Sequence, residues 1–156
     1  MQKIADLLDF GIVETDKQSL LPLLLIGDES ESMIARYLDR GTLYAANIGS
    51  KPVAVCLTTD EGDNVVEVKN LAVLPQYQRK GIGRAMLEYI EHLNSGKTII
   101  LGTGETPSTL SFYQACGYTY SHRIPNFFTD NYDHPIIEDG IMLKDMVYLC
   151  KKIGKD

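Results

Sequence analysis

The sequence predicts one domain of mixed α/β structure, intermediate between the α/β and α+β classes. Two β-prone segments separated by a turn, 42–48 and 53–59, indicate an antiparallel hairpin. The order strand, helix, strand over residues 65–101 indicates a crossover between parallel strands. The length of 156 residues suits a single domain spanning 1–156, because no Pro/Gly/Ser-rich linker divides the chain.

The elements before the hairpin are predicted from caps and helical spacing. We expect a first strand over 10–14 and a helix over 20–26, with Asp16 or Ser19 as its N-cap. A second helix, capped by Asp28 or Ser30, should follow and end at Gly41.

The elements after the hairpin alternate between strands and helices. Residues 65–74 read as a long strand, and the apolar stripe over 81–94 predicts an amphipathic helix. A short buried strand over 98–101 and a helix over 107–116, with Pro107 at its first position, come next. The remaining chain is predicted as a strand over 118–124, a long polar loop over 125–140 and a last strand over 141–150.

Composition excludes several classes of protein. The net charge of −6 argues against nucleic-acid binding, which needs a basic face, and mildly favours a cationic small molecule. The longest apolar run, 20–26, is far short of the ~20 residues that span a bilayer. With no signal-peptide pattern at the N-terminus, we expect a cytoplasmic protein. The three cysteines form no CxxC pair and no cluster with histidines, so we expect buried thiols and no metal site.

The segment Gln78-Arg79-Lys80-Gly81-Ile82-Gly83-Arg84 lies between a predicted strand and a predicted helix, and it has the properties of an anion site. The first amides of a helix lack partners within the helix, and the helix dipole places partial positive charge there. The two glycines would let a phosphate approach the backbone, and three basic side chains add formal charge. A diphosphate is the natural ligand of such a turn.

Two other phosphate motifs fail on this chain. A dinucleotide-binding fingerprint needs a small residue three positions after Gly83, where the sequence has Met86. Gly96-Lys97-Thr98 imitates the end of a P-loop, but Glu91 stands at the position of its first glycine. A nucleotide-phosphate binder is therefore disfavoured.

Two motifs together resemble one family. Gln78-x-x-Gly81-x-Gly83 after the long strand is similar to the acetyl-CoA signature of the GNAT acetyltransferase superfamily. Downstream, Ser111-Phe112-Tyr113-Gln114-Ala115-Cys116-Gly117-Tyr118 resembles the Phe-Tyr-x-x-x-Gly-Phe/Tyr segment of the same superfamily. The order of elements fits over nearly the whole chain. The resemblance implies a mostly antiparallel central sheet, flanked by helices and splayed where acetyl-CoA, the cosubstrate, binds.

The resemblance also implies which residues hold acetyl-CoA. The backbone of the strand at Leu71, Ala72 and Val73 would pair with pantetheine as a neighbouring strand does. Ser108 and Tyr113 on the later helix would flank the cofactor. The diphosphate would lie on the turn, whose members are Gln78, Arg79, Lys80, Gly81, Ile82, Gly83 and Arg84.

Acetyl transfer to an amine needs a proton acceptor and a proton donor. A lysine-like amine has a pKa of ~10.4, so a carboxylate that removes its proton, directly or through water, assists attack. Glu67, which should share a strand face with Leu71 and Val73, is the candidate base; it could also be an exposed strand residue. Tyr113 is the candidate acid for the departing thiolate, or alternatively a core aromatic.

The acceptor is expected between the early helices and the late polar loop. A loop with aromatic and acidic residues could hold a cation, although it could equally be solvated or pack on a second subunit of a homodimer. A polyamine, an aminoglycoside, or a lysine or N-terminal amine would each fit. A non-catalytic acyl-CoA-binding module is the rival hypothesis. The candidate residues are Tyr37, Asp39, Tyr44, Phe127, Phe128, Asp130, Tyr132, Asp133, Glu138 and Asp139.

Overall fold

The computed structural model describes residues 3–155, which form a seven-stranded sheet with helices on both faces, and a separate two-stranded hairpin. No helix in that range is long and apolar enough to cross a membrane. The helices are α1 (Leu21–Gly27), α2 (Glu31–Ala35), α3 (Ile82–Leu93), α4 (Pro107–Ala115) and α5 (Phe127–Asn131). The strands are β1 (Asp9–Ile12), β2 (Thr42–Ile48), β3 (Lys51–Gly62), β4 (Val65–Val73), β5 (Thr98–Gly104), β6 (Thr119–Ile124), β7 (Ile137–Glu138), β8 (Ile141–Met142) and β9 (Met146–Lys152).

The large sheet has the order β1-β2-β3-β4-β5-β9-β6. Only β4 and β5 are parallel, joined by the crossover helix α3, and every other neighbouring pair is antiparallel. The predicted mixed, mostly antiparallel sheet flanked by helices is therefore confirmed.

Strands β4 and β5 separate part of the way along. Their pairing runs from Val65 opposite Thr98 to Val68 opposite Leu101, and it stops there although both strands continue. The sheet is splayed at this point, as expected from the resemblance. The separation leaves backbone groups of both strands without a neighbouring strand, and we name this space the gap.

Strand β4 contains a bulge at Lys69. Thr58 of β3 pairs with Val68, whereas the next residue, Leu57, pairs with Asn70, so one residue of β4 is extra. The bulge reverses the side-chain alternation. Val68 before it and Leu71 after it both pack on the α3 side. The expectation that Glu67 shares a face with Leu71 and Val73 is consequently wrong.

Two apolar clusters hold the helices on the sheet. On one face, Ile82, Met86, Leu87 and Ile90 of α3 are at most 1% exposed and pack against the strands. On the other face, α1 and the segment around Ile34 to Leu38 pack on β2 and β3. Ser30 accepts a hydrogen bond from the Met33 amide at 3.3 Å, which confirms one of the proposed N-caps.

The late polar segment differs from the prediction. Residues 125–140, expected as a loop, contain α5 and strand β7, and β7 pairs with β8 in a hairpin. The last strand of the sheet begins at Met146, five residues later than the expected Ile141. A small apolar cluster of Phe128, Ile136 and Leu143 holds this segment together. These three residues are widely spaced in sequence, so neither helical nor strand periodicity predicts the cluster.

Candidate active site

A cavity of about 120 Å³ opens where β4 and β5 separate, and we name it the gap cavity. Both strands contribute to it, together with the end of α1, helix α4 and the late segment. The lining residues are Gly27, Asp28, Val68, Lys69, Asn70, Leu71, Leu101, Gly102, Thr103, Gly104, Tyr113, Phe128, Tyr132, Glu138 and Met146.

The backbone of β4 beyond the bulge presents polar groups to the gap. The amide of Leu74 donates to the Val53 carbonyl of β3 at 2.9 Å. Because consecutive residues of a strand direct their backbone groups to opposite sides, Leu71 and Val73 face the gap and Ala72 faces β3. The side-chain amide of Gln78 donates to the Val73 carbonyl at 2.9 Å. Gln78 thus fastens the turn to the strand end.

The start of α3 leaves several amides unbonded within the helix. Gly81 is its N-cap in the left-handed region, with φ of 84°, a conformation that favours glycine. The Ala85 amide donates to the Gly81 carbonyl at 3.0 Å, so the amides of residues 82–84 precede the first helical bond. No side chain caps this end, and residues 79–81 are exposed. The helix start is therefore accessible to an anion.

Gly83 has a second role, in packing. A Cβ atom at this position would lie 3.2 Å from Cζ of Phe112 on α4, closer than usual contact. The glycine therefore lets the aromatic ring of α4 approach the first turn of α3. Around this turn, Arg79, Lys80 and Arg84 are exposed, and Arg84 pairs with Glu88 at 3.3 Å.

Tyr113 lines the gap cavity. Burial is the main reason that the pKa of its hydroxyl is raised above the ordinary value of 10. The hydroxyl is neutral throughout the physiological range, as that of an ordinary tyrosine is, and the raised pKa makes it a weaker acid. Ser108, on the same helix, donates a hydrogen bond to Asp139 in the β7–β8 turn.

Glu67 is buried, with 6% of its surface exposed, and it is not the solvent-exposed strand residue considered as its alternative. It accepts a hydrogen bond from the Tyr148 hydroxyl at 2.8 Å and lies 3.0 Å from the Lys69 ammonium. Burial, followed by the charge of Glu67, raises the pKa of Tyr148. Glu67 does not line the gap cavity, but its partner Lys69 does.

Glu138 is a carboxylate that does line the gap cavity. Although the residue as a whole is exposed, partial desolvation of its carboxylate raises its pKa, and the charges of Asp139 and Glu29 add to the effect. A nearby cation would oppose this effect, because an opposite charge favours the ionised carboxylate.

A hydrogen-bond network joins distant parts of the chain beside the gap cavity. Asp28 accepts from the Tyr132 hydroxyl at 2.8 Å and from the Tyr37 hydroxyl at 3.3 Å. The side-chain amide of Asn70 donates to the Tyr37 oxygen at 3.0 Å and to the Leu24 carbonyl at 2.9 Å. Sequence reasoning treated Asp28 only as a cap and missed Asn70, since partners up to 104 residues apart leave no local signal.

The structure separates the predicted acceptor residues into two groups. Phe128, Tyr132 and Glu138 line the gap cavity, and Tyr37 and Phe127 line its neighbour. By contrast, Tyr44 is buried on the α3 side, where its ring meets Tyr89 edge to face. Asp39 and Asp130 are exposed and line neither cavity.

A splayed strand pair with an accessible helix start at its end is the arrangement expected of an acyl-CoA-dependent transferase. The chain matches the family model "Acetyltransferase (GNAT) domain" over residues 39–120. It is 36% identical over 140 residues to the N-acetyltransferase YvbK of Bacillus subtilis (strain 168), covering 87% of this chain and 90% of that protein. The chain belongs to the GNAT acetyltransferase family.

Solved structures agree with this assignment. A GNAT family acetyltransferase from Elizabethkingia anophelis with acetyl-CoA bound has a TM-score of 0.89 at 30% identity, covering 95% of this chain and 99% of that one. A Bacillus subtilis acetyltransferase in complex with CoA has a TM-score of 0.83 at 33% identity, covering 94% and 99%. The protein is thus an acetyl-CoA-dependent N-acetyltransferase that acts on amines, and the non-catalytic alternative is disfavoured.

Proposed function

We propose that acetyl transfer takes place in the gap cavity, with acetyl-CoA held along β4 and at the start of α3. The observation that carries this proposal is the continuity of the two features. Strand β4 leaves β5 after Val68, and the chain then leads through a short turn to the uncapped amides at residues 82–84. Leu71 and Val73 would hold the pantetheine arm, since their backbone groups face the gap.

The diphosphate would lie at the first turn of α3. Residues 79–81 are exposed there, and the basic side chains of Arg79, Lys80 and Arg84 complement a negative charge. Gln78 has a positioning role, because its side chain already bonds the Val73 carbonyl. The bound cosubstrate supplies an acetyl thioester at the gap cavity.

Two side chains of this chain would move protons. Tyr113 would donate its hydroxyl proton, or a hydrogen bond, to the departing thiolate, because it lines the gap cavity and a phenol is neutral at physiological pH. Glu67 would accept the proton of the acceptor amine through water, because it does not itself line the gap cavity. Its bonds to Tyr148 and Lys69 hold the carboxylate in place.

The acceptor would be a primary amine of a small molecule or a peptide that enters the gap cavity beside Glu138. This carboxylate would contact the incoming ammonium, since Glu138 lines the cavity and the amine arrives charged at neutral pH. The aromatic rings of Phe128 and Tyr132 lie on the same wall and would cover the alkyl part of the acceptor.

The cofactor site can be tested by calorimetry with CoA. Lys80→Glu should weaken binding by about tenfold or more, because it reverses a charge beside the diphosphate. Gly83→Glu should weaken it further by placing a carboxylate at the helix start and displacing Phe112. The same glycine-to-glutamate change at Gly11, where an added Cβ meets nothing within 4 Å, is the control. Unchanged affinity in Lys80→Glu and Gly83→Glu would contradict the proposed site.

A further inference from the structure

A second cavity of about 220 Å³ adjoins the gap cavity, and we name it the side cavity. The two share Asp28, Lys69, Tyr132 and Met146 as lining residues, so they meet at these four side chains. Helix α2 and the residues after it form the outer wall. The remaining lining residues of the side cavity are Met33, Arg36, Tyr37, Arg40 and Phe127.

The side cavity differs from the gap cavity in its charges. Three cationic side chains line it, namely Lys69, Arg40 and Arg36, against the single carboxylate of Asp28. Two of these cations already have partners, because Lys69 lies 3.0 Å from Glu67 and Arg40 lies 3.4 Å from Glu61.

Arg36 is the cation of this cavity with unused bonding capacity. Within residues 3–155 it makes no ion pair, and it is exposed at the cavity edge. The carboxylate of Asp28, by contrast, is already hydrogen-bonded. Its two oxygens accept bonds from Tyr132, Tyr37 and the Ser30 amide, which leaves little capacity for a ligand cation.

We propose that the acceptor amine carries a carboxylate, and that Arg36 binds this carboxylate in the side cavity while the amine lies in the gap cavity. The inference rests on the proposed function and specifies its acceptor. An arginine fork can donate two parallel hydrogen bonds to a carboxylate, which gives both affinity and orientation. A polyamine would instead bring a second cation toward Arg36, so this inference disfavours the polyamine among the acceptors considered from the sequence.

The apolar residues that line the two cavities indicate which chemical group connects the amine and the carboxylate of the acceptor. Met146 and Tyr132 line both cavities, and Met33 and Phe127 line the side cavity. A short alkyl chain between amine and carboxylate would pack on these groups. The acceptor class is therefore an amino acid with its two charges separated by a hydrocarbon segment.

A panel of matched acceptors tests this assignment by CoA release from the purified full chain with acetyl-CoA. The panel contains ω-amino acids of increasing chain length, their carboxamides, the corresponding aminoalkyl phosphates and diamines. We expect kcat/KM for the best amino acid to exceed that of its carboxamide by about tenfold or more, since a charged hydrogen bond is lost in the amide. Arg36→Gln should reduce this ratio towards one, mainly by raising KM for the amino acid.

Lys152→Gln, which removes an exposed positive charge at the end of β9, is the control and should keep the preference. A carboxamide or diamine that reacts as well as the amino acid would overturn the carboxylate proposal and leave the proposed function standing. Preference for the aminoalkyl phosphate would also overturn it. If CoA binds but no amine of the panel is acetylated at a rate above hydrolysis, the carboxylate proposal is overturned, and peptides with a free lysine or N-terminal amine then test the proposed function alone.

Discussion

Tyr113 places a neutral hydroxyl, which can donate a hydrogen bond or a proton, at the gap cavity. We predict that Tyr113→Phe lowers kcat by about a hundredfold, the usual contribution of a positioned proton donor. Affinity for CoA should change little, because the ring and its contacts with Phe112 and Tyr118 remain. Steady-state kinetics and calorimetry measure the two effects separately. Equal turnover in the variant would remove Tyr113 from the mechanism.

Glu67 and Glu138 are the two carboxylates that could accept the proton of the amine. The pH dependence of the rate in variants of each residue distinguishes them. We predict that Glu67→Gln flattens the low-pH limb of kcat, because the residue that must be deprotonated is gone. Glu138→Gln should keep that limb and raise KM for the acceptor.

The raised pKa of Glu138 gives its effect on binding a definite sign. Wild-type KM should rise as pH falls through that pKa, because protonation removes the charge that attracts the ammonium. If the low-pH limb of kcat disappears in Glu138→Gln and persists in Glu67→Gln, Glu138 is the base.

At the scale of elements, helix α3 shows how far periodicity reaches. Most of the apolar stripe predicted over 81–94 is buried in the observed helix, but the structure corrects it at two positions. Leu93, which the stripe included, is 47% exposed, and Leu87, which it omitted, is fully buried. The stripe was predicted to contain Ile82, Ala85, Met86, Tyr89, Ile90 and Leu93. Leu87→Ala should therefore lower the free energy of unfolding by about 2–5 kcal/mol, the cost of a cavity in a packed core. Leu93→Ala on the same helix, where the side chain is 47% exposed, should cost about 0.5 kcal/mol or less. Denaturant unfolding of both variants gives the comparison, and similar losses would contradict the assigned face.

Strand β4 contains a bulge that the residue pattern of the sequence could not predict. The sequence predicted the strand and its end, but the extra residue at Lys69 could not be seen, because strict alternation is assumed whenever a face is read from parity. The late segment failed for a related reason. Its small core depends on Phe128, Ile136 and Leu143, whose spacing matches neither a helix nor a strand.

At the scale of the molecule, the order of elements and the two motifs were enough to predict the fold and the acetyl donor. The acceptor side was not predictable to the same degree. It is built by contacts such as Tyr132 with Asp28, whose partners lie 104 residues apart, and sequence separation of that size carries no pattern. A homodimer and a cytoplasmic location stay predictions.

The side chain of His134 links the late segment to the region after α1, as the hydrogen bond between Tyr132 and Asp28 also does. Its ring nitrogens lie 2.8 Å from Glu29 and 2.5 Å from Asp133. These carboxylates, Asp133 first, raise the pKa of His134 above 6.5. A raised folded-state pKa means that the stabilisation is complete below the unfolded value and is lost as pH rises through the folded value.

We predict that a histidine titration followed by NMR places the pKa of His134 above 6.5. Glu29→Gln should lower this pKa by removing one of the two carboxylates that favour the charged ring. Glu31→Gln, two positions along on α2 and exposed, should leave it unchanged. A wild-type pKa of His134 at or below 6.5 would show that its interactions with Glu29 and Asp133 do not form in solution.

The single extra residue in β4 makes the position of a deletion more important than its length. Without Lys69, the pairs Val68–Thr58 and Asn70–Leu57 would become consecutive, so Leu71 and Val73 would keep the α3 side and the direction of their backbone groups. The loss of one residue at Leu71 could be absorbed only by moving the polar Asn70 to the α3 face, where Leu71 packs. Relatives that transfer acetyl groups by the same arrangement should therefore tolerate a deletion at Lys69 far better than one at Leu71.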